Sequence, residues 1–400
     1  MKNNELIIWG DNWWIEKDNV WFVWGMQNII CCLDLKTMIC ELVINIPNKL
    51  QQKFRANPFC IKYQDDLYCM PVYGESIWIY NTISQELFEI FIDNQDKKLL
   101  NIQDFWKFDN KIYAVLNGLG QIIEINPKDK KIINYYQLSK KCNITKSIKV
   151  DSIIYCLFED SGEVYQFDLI TKGIVKYKLP DIERRFNTIC FDGQNFWLSG
   201  YCKEVYQWDK TSNEIKVIDG FPNEFGIYNF TQSTNGEVDC ITSKYNQMTF
   251  LYTLHIRNDI WFIPYTTNII LRVDKQKNIV YSFEVDEEIE TKESILARTE
   301  LGLYYKYLFE YIIDNRYLGL YSLKNKCILE IDTIELKYEY KKYNYNMNDK
   351  YLMEIAKLYN NVFYEANVWS RVVVSKMLDL KNNICGIENK SIGANIYQKV

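Results

Sequence analysis

The chain has 400 residues, of which 48% are hydrophobic, 16% aromatic and 25% charged, and its formal net charge is −5. This composition supplies a large core and excludes a disordered polymer. Lys and Arg are mixed with Asp and Glu along the whole length, so there is no basic stripe of the kind a phosphate backbone requires, and no nucleic-acid partner is expected.

The first ten residues lack the basic segment and apolar run of a secretory signal. No uninterrupted apolar stretch approaches the roughly 20 residues that cross a bilayer, so no transmembrane segment is expected. Twelve cysteines are scattered without a Cys-x-x-Cys pair or a neighbouring histidine, which argues against a zinc set. Several, including Cys69 and Cys156, fall inside apolar strand patterns, where a reduced thiol acts as a small hydrophobe. A reducing cytoplasm fits this usage.

In chain order, Trp21, Tyr68, Tyr113, Tyr155, Trp197 and Trp261 each lie in a short apolar run, and a second run closes on Asp34, Asn81, Asn126, Asp168, Asp209 and Asp274. The separations are 13, 13, 13, 13, 12 and 13, and a seventh copy runs from Leu318 to Asp332 at 14. Each copy resolves into four strand-like segments; in the third they are 105–109, 111–116, 121–126 and 131–137. Four short strands per repeat of this length predict an all-β, seven-bladed propeller of four-stranded antiparallel blades over residues 1–341. The blades fall at about 11–45, 59–92, 104–138, 146–178, 187–219, 250–284 and 305–341.

The Asp/Asn column is expected to bond nearby backbone N–H groups and set the turn into the fourth strand. The aromatic column should fill the space between sheets. These repeats resemble β-propeller repeats broadly, and kelch-like or other bacterial seven-bladed propellers more than WD repeats. The Gly-His and Trp-Asp dipeptides of WD repeats are missing, as are the paired glycines of kelch repeats. That resemblance implies a fold and carries no activity with it.

Ring closure has two readings: residues 5–9 pair against blade seven, or the blades close by packing alone. The insertion at 221–248 is an extra hairpin, a lid or a disordered excursion, being too long for an ordinary turn. From 348 onward apolar residues recur at helical spacing, which predicts a helical C-terminal tail over 342–400 that packs on its own propeller or serves another partner.

In such blades the loop between the second and third strands and the link to the next blade emerge on one face. Aromatics begin five of these loops, and the candidate ligand-binding residues are Trp24, Tyr73, Tyr201, Tyr265 and Tyr321 with Arg55, Arg184, Arg185 and Arg298 in or near the links. Flat apolar rings with charged donors suit a saccharide, a nucleotide-sugar or a peptide. The single histidine, His255, sits in an apolar run, which leaves no room for a multi-histidine metal site and argues against a Ser-His-Asp triad. It also sets the chain apart from propeller lyases and lactonases that rely on several histidines or acidic metal ligands. Gly118-Leu119-Gly120 lacks the Lys-Ser/Thr of a phosphate loop. No cofactor, metal or catalytic residue is assigned.

The expected function is non-enzymatic recognition or scaffolding of a protein partner, peptide or saccharide. The alternative is a carbohydrate-active or other small-molecule enzyme using funnel carboxylates, for which Glu75, Glu159, Asp160 and Glu204 lie on the predicted face.

Overall fold

Runs of β-branched and aromatic residues bounded by short polar turns form seven four-stranded antiparallel sheets that follow one another along the chain. The computed structural model describes residues 12–346, apart from 25–27, 48–56, 73, 93–100, 140–143, 159–161, 181–185, 201–203, 227–228, 233–237, 242–248, 266, 289–305, 326 and 343. Blade one is typical, with strands Trp13–Glu16, Asn19–Trp24, Ile29–Asp34 and Ile39–Asn45 joined as three successive hairpins. The architecture is the seven-bladed propeller that the spacing predicts.

The first strands form the inner wall. They are Trp13–Glu16, Phe59–Tyr63, Ile102–Phe108, Ile144–Val150, Phe186–Phe191, Phe250–Ile256 and Tyr307–Ile313, and neighbouring ones touch around most of the ring. Fourth strands lie at the rim, where Ile174–Lys178 and Glu214–Ile218 are largely exposed.

One turn recurs seven times. The side-chain oxygen of Asp34 accepts the backbone N–H groups of Lys36 and Thr37 at 2.8 and 2.9 Å, and Asn81 does the same for Ile83 and Ser84. Asn126, Asp168, Asp209, Asp274 and Asp332 repeat the contact. These backbone donors hold the carboxyls of Asp34, Asp168, Asp209 and Asp274 below the usual range. Four residues after each acceptor the chain turns left-handed, at Met38, Gln85, Lys130, Lys172, Asn213, Asn278 and Leu336. The side-chain acceptor thus ends the third strand and starts the fourth in a fixed register.

The aromatic column packs between blades. Tyr113 joins a buried cluster with Ile144, Ile154 and Cys156 of blade four, Tyr155 with Phe186 and Phe196 of blade five, and Trp261 with Leu318 and Leu320 of blade seven. Each sheet therefore buries both faces only by meeting its neighbours.

Closure combines packing with one added strand. Trp13 of blade one stacks on Phe22 at 4.7 Å and on Tyr311 of blade seven at 6.1 Å between ring centroids. Tyr311 lies flat over Gly319, where an added Cβ would stand 2.0 Å from the ring. Beyond blade seven, Asn344–Asn346 pairs in parallel with the outer strand Ile39–Asn45 of blade one. The chain that follows blade seven thus adds a fifth strand to blade one. Within the span expected to be a helical tail, 342–400, residues 344–346 form this strand instead, and the rest from 347, like residues 5–9 of the other proposed closure, lies outside the described residues. The insertion contains a two-stranded hairpin, Asn229–Gln232 with Val238–Ile241. Its first part is anchored by Phe225, buried in the blade five–six core, and by the Gly226 N–H on the Asn268 side chain at 2.9 Å.

Two substitutions test the turn. Asp274→Ala should cost about 1 kcal/mol in denaturant unfolding, the size of a lost helix cap. Leu336→Asn should gain roughly 0.5–1 kcal/mol, because asparagine tolerates the left-handed conformation that leucine resists and Leu336 is already exposed. Equal and opposite results would remove the turn from the account of register.

Candidate functional site

The inner strands carry a bulge in blades three to seven, near the end that receives the link from the preceding blade. Bulges of this kind bend a strand and re-aim its side chains. Beside the bulge, Lys146 stands opposite Leu157, Thr188 opposite Ser199, Tyr252 opposite Ile263 and Glu310 opposite Leu320. Asp104 occupies the same level in blade three. One position of the repeat thus carries a polar side chain on the inner strands of five successive blades. It lies two or three residues into each strand, roughly 7 Å below the mouth at ~3.3 Å per residue.

Some of these groups hold neighbouring blades together. Asp104 is 6% exposed, and its Oδ2 accepts both the backbone N–H and the hydroxyl of Ser147 at 2.7 Å. Lys146 donates from Nζ to Oδ1 of the same carboxylate at 2.8 Å. The Thr188 hydroxyl lies 2.5 Å from those of Ser199 and Thr253, repeating the reach from one blade to the next. The bulge residues act as staples too: Thr145 Oγ1 donates to the Phe186 carbonyl at 3.0 Å, and Asn187 Nδ2 to the Phe250 carbonyl at 2.6 Å.

Glu310 behaves differently. It comes from blade seven, which in a ring of seven stands opposite blades three and four, yet it is within electrostatic range of both Lys146 and Asp104. Burial raises the Glu310 carboxyl to about 7, against the pull of Lys146 and a hydrogen bond from the Tyr252 hydroxyl. Burial also works against the Lys146 ammonium, but the Asp104 carboxylate, with help from Glu310, holds its pKa above the ordinary value.

The residues expected on the face have separate fates. Trp24 and Tyr321 are fully buried and lie within the body of their blades, so neither presents a ring to a ligand. Tyr265 is half-buried on the loop face, its N–H bonded to the Thr249 carbonyl of the preceding link at 3.1 Å. That contact, with the Leu323 N–H on the Lys306 carbonyl, ties the loops to the links as the topology requires. Tyr73, Tyr201, Arg55, Arg184, Arg185 and Arg298 lie outside the described residues, as do Glu159 and Asp160. Glu75 is exposed, and Glu204 is bonded by the Tyr206 hydroxyl. His255 sits at the far end of its strand, with Nε2 2.7 Å from the Arg257 carbonyl and 3.0 Å from Lys275 Nζ. Burial and the lysine lower its pKa. Among the described residues, no group of three His, Cys, Asp or Glu side chains is placed to hold a metal ion.

Asp104, Lys146, Tyr252 and Glu310 are not among the residues expected on the face, although the sequence carries a signal for them. Asp104, Lys146, Thr188 and Tyr252 each stand nine residues before their blade's aromatic, and Glu310 stands eight before Leu318. A count backward from the aromatic column reaches this ring.

No protein-family model matches the chain, and no curated protein does. Solved structures match in fold. Virginiamycin B lyase from Staphylococcus aureus is 14% identical with a TM-score of 0.58, over 82% of this chain and 95% of that one. A streptogramin B lyase structure is 14% identical at 0.56, covering 84% and 95%, and a computationally designed protein is 10% identical at 0.50, covering 84% and 97%. At these identities the likeness shows the propeller fold alone. A histidine-to-alanine variant of the Staphylococcus lyase is described as catalytically inactive. The single histidine here is held at the opposite end of its strand from the channel ring.

Glu310 yields a pH prediction. Its folded pKa, near 7, lies above the unfolded value of about 4.3, so folding favours the protonated form. The resulting stabilisation is complete below that unfolded value and is lost as pH rises through 7. Unfolding midpoints should fall between pH 5 and 8 in the unsubstituted protein and flatten in Glu310→Gln. A slope unchanged in the variant would move this titration to another group.

Proposed function

We propose that this protein is a recognition propeller that takes a peptide, saccharide or protein segment on the face carrying the second-to-third-strand loops and the inter-blade links, with the ligand reaching the polar floor of the channel. The observation that carries this reading is the Lys146–Asp104 pair near that face, on the same level of the repeat as Tyr252 and Glu310. Polar side chains are buried at a cost unless bonded, and this level gathers polar groups from successive inner strands, of which Lys146, Tyr252 and Glu310 are partly exposed. Tyr265 supplies an aromatic edge at the rim, and the remaining loop aromatics and Arg55, Arg184, Arg185 and Arg298 belong to the same face in the repeat pattern. Eight described cysteines carry free thiols, which supports a reducing, cytoplasmic setting.

A second reading, a small-molecule enzyme, is favoured by the carboxyl of Glu310, which exchanges a proton near neutrality and so has the pKa of a general acid. Recognition is preferred because Asp104, the other channel carboxylate, is bonded to Ser147 and Lys146 and is nearly without exposed surface.

A thermal-shift screen of oligosaccharides, nucleotide-sugars and short peptides tests the reading, with Lys146→Met and Tyr265→Ala variants alongside. A ligand at 100 times its Kd should add about 2.7 kcal/mol of stability, and the shift should shrink in both variants. A ligand whose shift survives both changes places recognition elsewhere. Turnover of a bound compound, abolished in Glu310→Gln, would establish the enzyme reading instead.

A further inference from the structure

The chain's single histidine has surroundings that no one protonation state satisfies. His255 lies near the end of the inner strand of blade six, away from the links, and its Nε2 has two neighbours: the Arg257 carbonyl at 2.7 Å and the Lys275 ammonium at 3.0 Å. A carbonyl only accepts and an ammonium only donates, while a nitrogen of neutral imidazole does one or the other. With its lone pair free, Nε2 accepts from Lys275; carrying a proton, it donates to Arg257 and leaves the ammonium facing an N–H. The imidazolium has only the second option, and it sets a positive charge 3.0 Å from Lys275. The consequence reaches both neighbouring blades. Lys275 Nζ also donates to the Asp192 carbonyl of blade five at 3.0 Å, and Arg257 Nε donates to the Asn315 carbonyl of blade seven at 3.0 Å. Nearby cations are paired with carboxylates instead: Arg272 with Asp259, Lys277 with Asp274 and Arg316 with Asp332.

We infer that His255 is a pH-operated latch between blades five and six. As neutral imidazole it accepts from Lys275, whose ammonium stays on the Asp192 carbonyl. On taking up one proton at Nε2 it donates to the Arg257 carbonyl and expels Lys275, which breaks the contact between the two blades at that edge. Burial and the Lys275 charge favour the neutral ring in the folded chain. The latch is therefore complete above the unfolded value of about 6.5 and opens as pH falls below it. Among the described residues, the charged and titratable groups around the ring are Lys275 and Asp274 of blade six's outer turn, Asp192 and Cys190 of blade five, Asp259 on the paired strand, and Asp314 and Arg316 of blade seven. Against its burial, the Trp197 indole and two backbone N–H groups hold the Asp192 carboxyl below the usual range, and backbone N–H groups hold Asp274 low. Burial pushes the Cys190 thiol up. These three keep their charge state between pH 5 and 8, where the imidazole changes its own.

Isotope-labelled histidine gives one imidazole spectrum in the full chain, since there is one histidine to label. At pH 8 the ring should carry its proton on Nδ1 and leave Nε2 bare, and Lys275→Met should raise the imidazole pKa. Lys275 supplies a second readout. Its acylation by an amine reagent, measured by peptide mass spectrometry against exposed Lys17, should rise about threefold from pH 8 to pH 5. In His255→Gln, whose amide can accept from Lys275 and donate to Arg257 together, that ratio should stay level. The spectrum and the acylation ratio of the unsubstituted protein stand even where a variant does not fold. A neutral ring protonated at Nε2, an imidazole pKa unmoved in a folded Lys275→Met, or a Lys275 ratio flat with pH in the unsubstituted protein overturns the latch. A ratio that rises equally in a folded His255→Gln overturns it as well, because the release then belongs to another group.

Discussion

Each blade has two apolar faces, and neither is fully buried until the ring is complete. Tyr113, Tyr155 and Trp261 pack against the following blade, so stability comes from junctions between sheets as much as from the sheets themselves. The junction between blades one and seven joins the two ends of the repeat array. Its stack of Phe22, Trp13 and Tyr311 requires glycine at 319, because any larger residue would occupy the space of the Tyr311 ring. The strand Asn344–Asn346 then joins blade one through backbone bonds. A chain closed in this way holds its inner strands in a fixed ring.

The channel is where the packing rule changes. Between blades, polar groups bridge adjacent inner strands, as with Asp104 to Ser147 and Thr188 to Thr253. At the axis there is no adjacent strand to satisfy them, and Glu310 reaches the electrostatic range of residues on the opposite wall. Burial is what lifts its pKa toward neutrality, whereas Asp332, on the outer part of the same blade, is driven down by Arg316. Two acids in one blade are thus tuned in opposite directions by where the sheet places them.

The repeat was legible because its signals are local. Asp34 and its six equivalents bond the N–H two residues away, and six of the seven also the N–H three residues away, so the turn is written in contiguous sequence, and the alternation around each aromatic gives the strand faces. The burial of Trp24 and Tyr321 was not legible from loop position alone. Each falls inside or at the end of a second strand and is fully buried there. The convergence of Asp104, Lys146, Tyr252 and Glu310 depends on ring closure and on bulges that shift the inner strands, features with no local sequence signature. Only the offset of eight or nine residues from the aromatic column, with Leu318 standing in it, carries a trace of it.

The central claim is that side chains of blades four and seven interact across the channel. A double-mutant cycle on unfolding free energy at pH 8, using Lys146→Met, Glu310→Gln and the pair, measures that interaction directly. The account predicts a coupling of about 1 kcal/mol, with the two substitutions together costing less than their sum. Additivity within about 0.3 kcal/mol would mean that Lys146 and Glu310 do not meet, and the polar floor would no longer be one site.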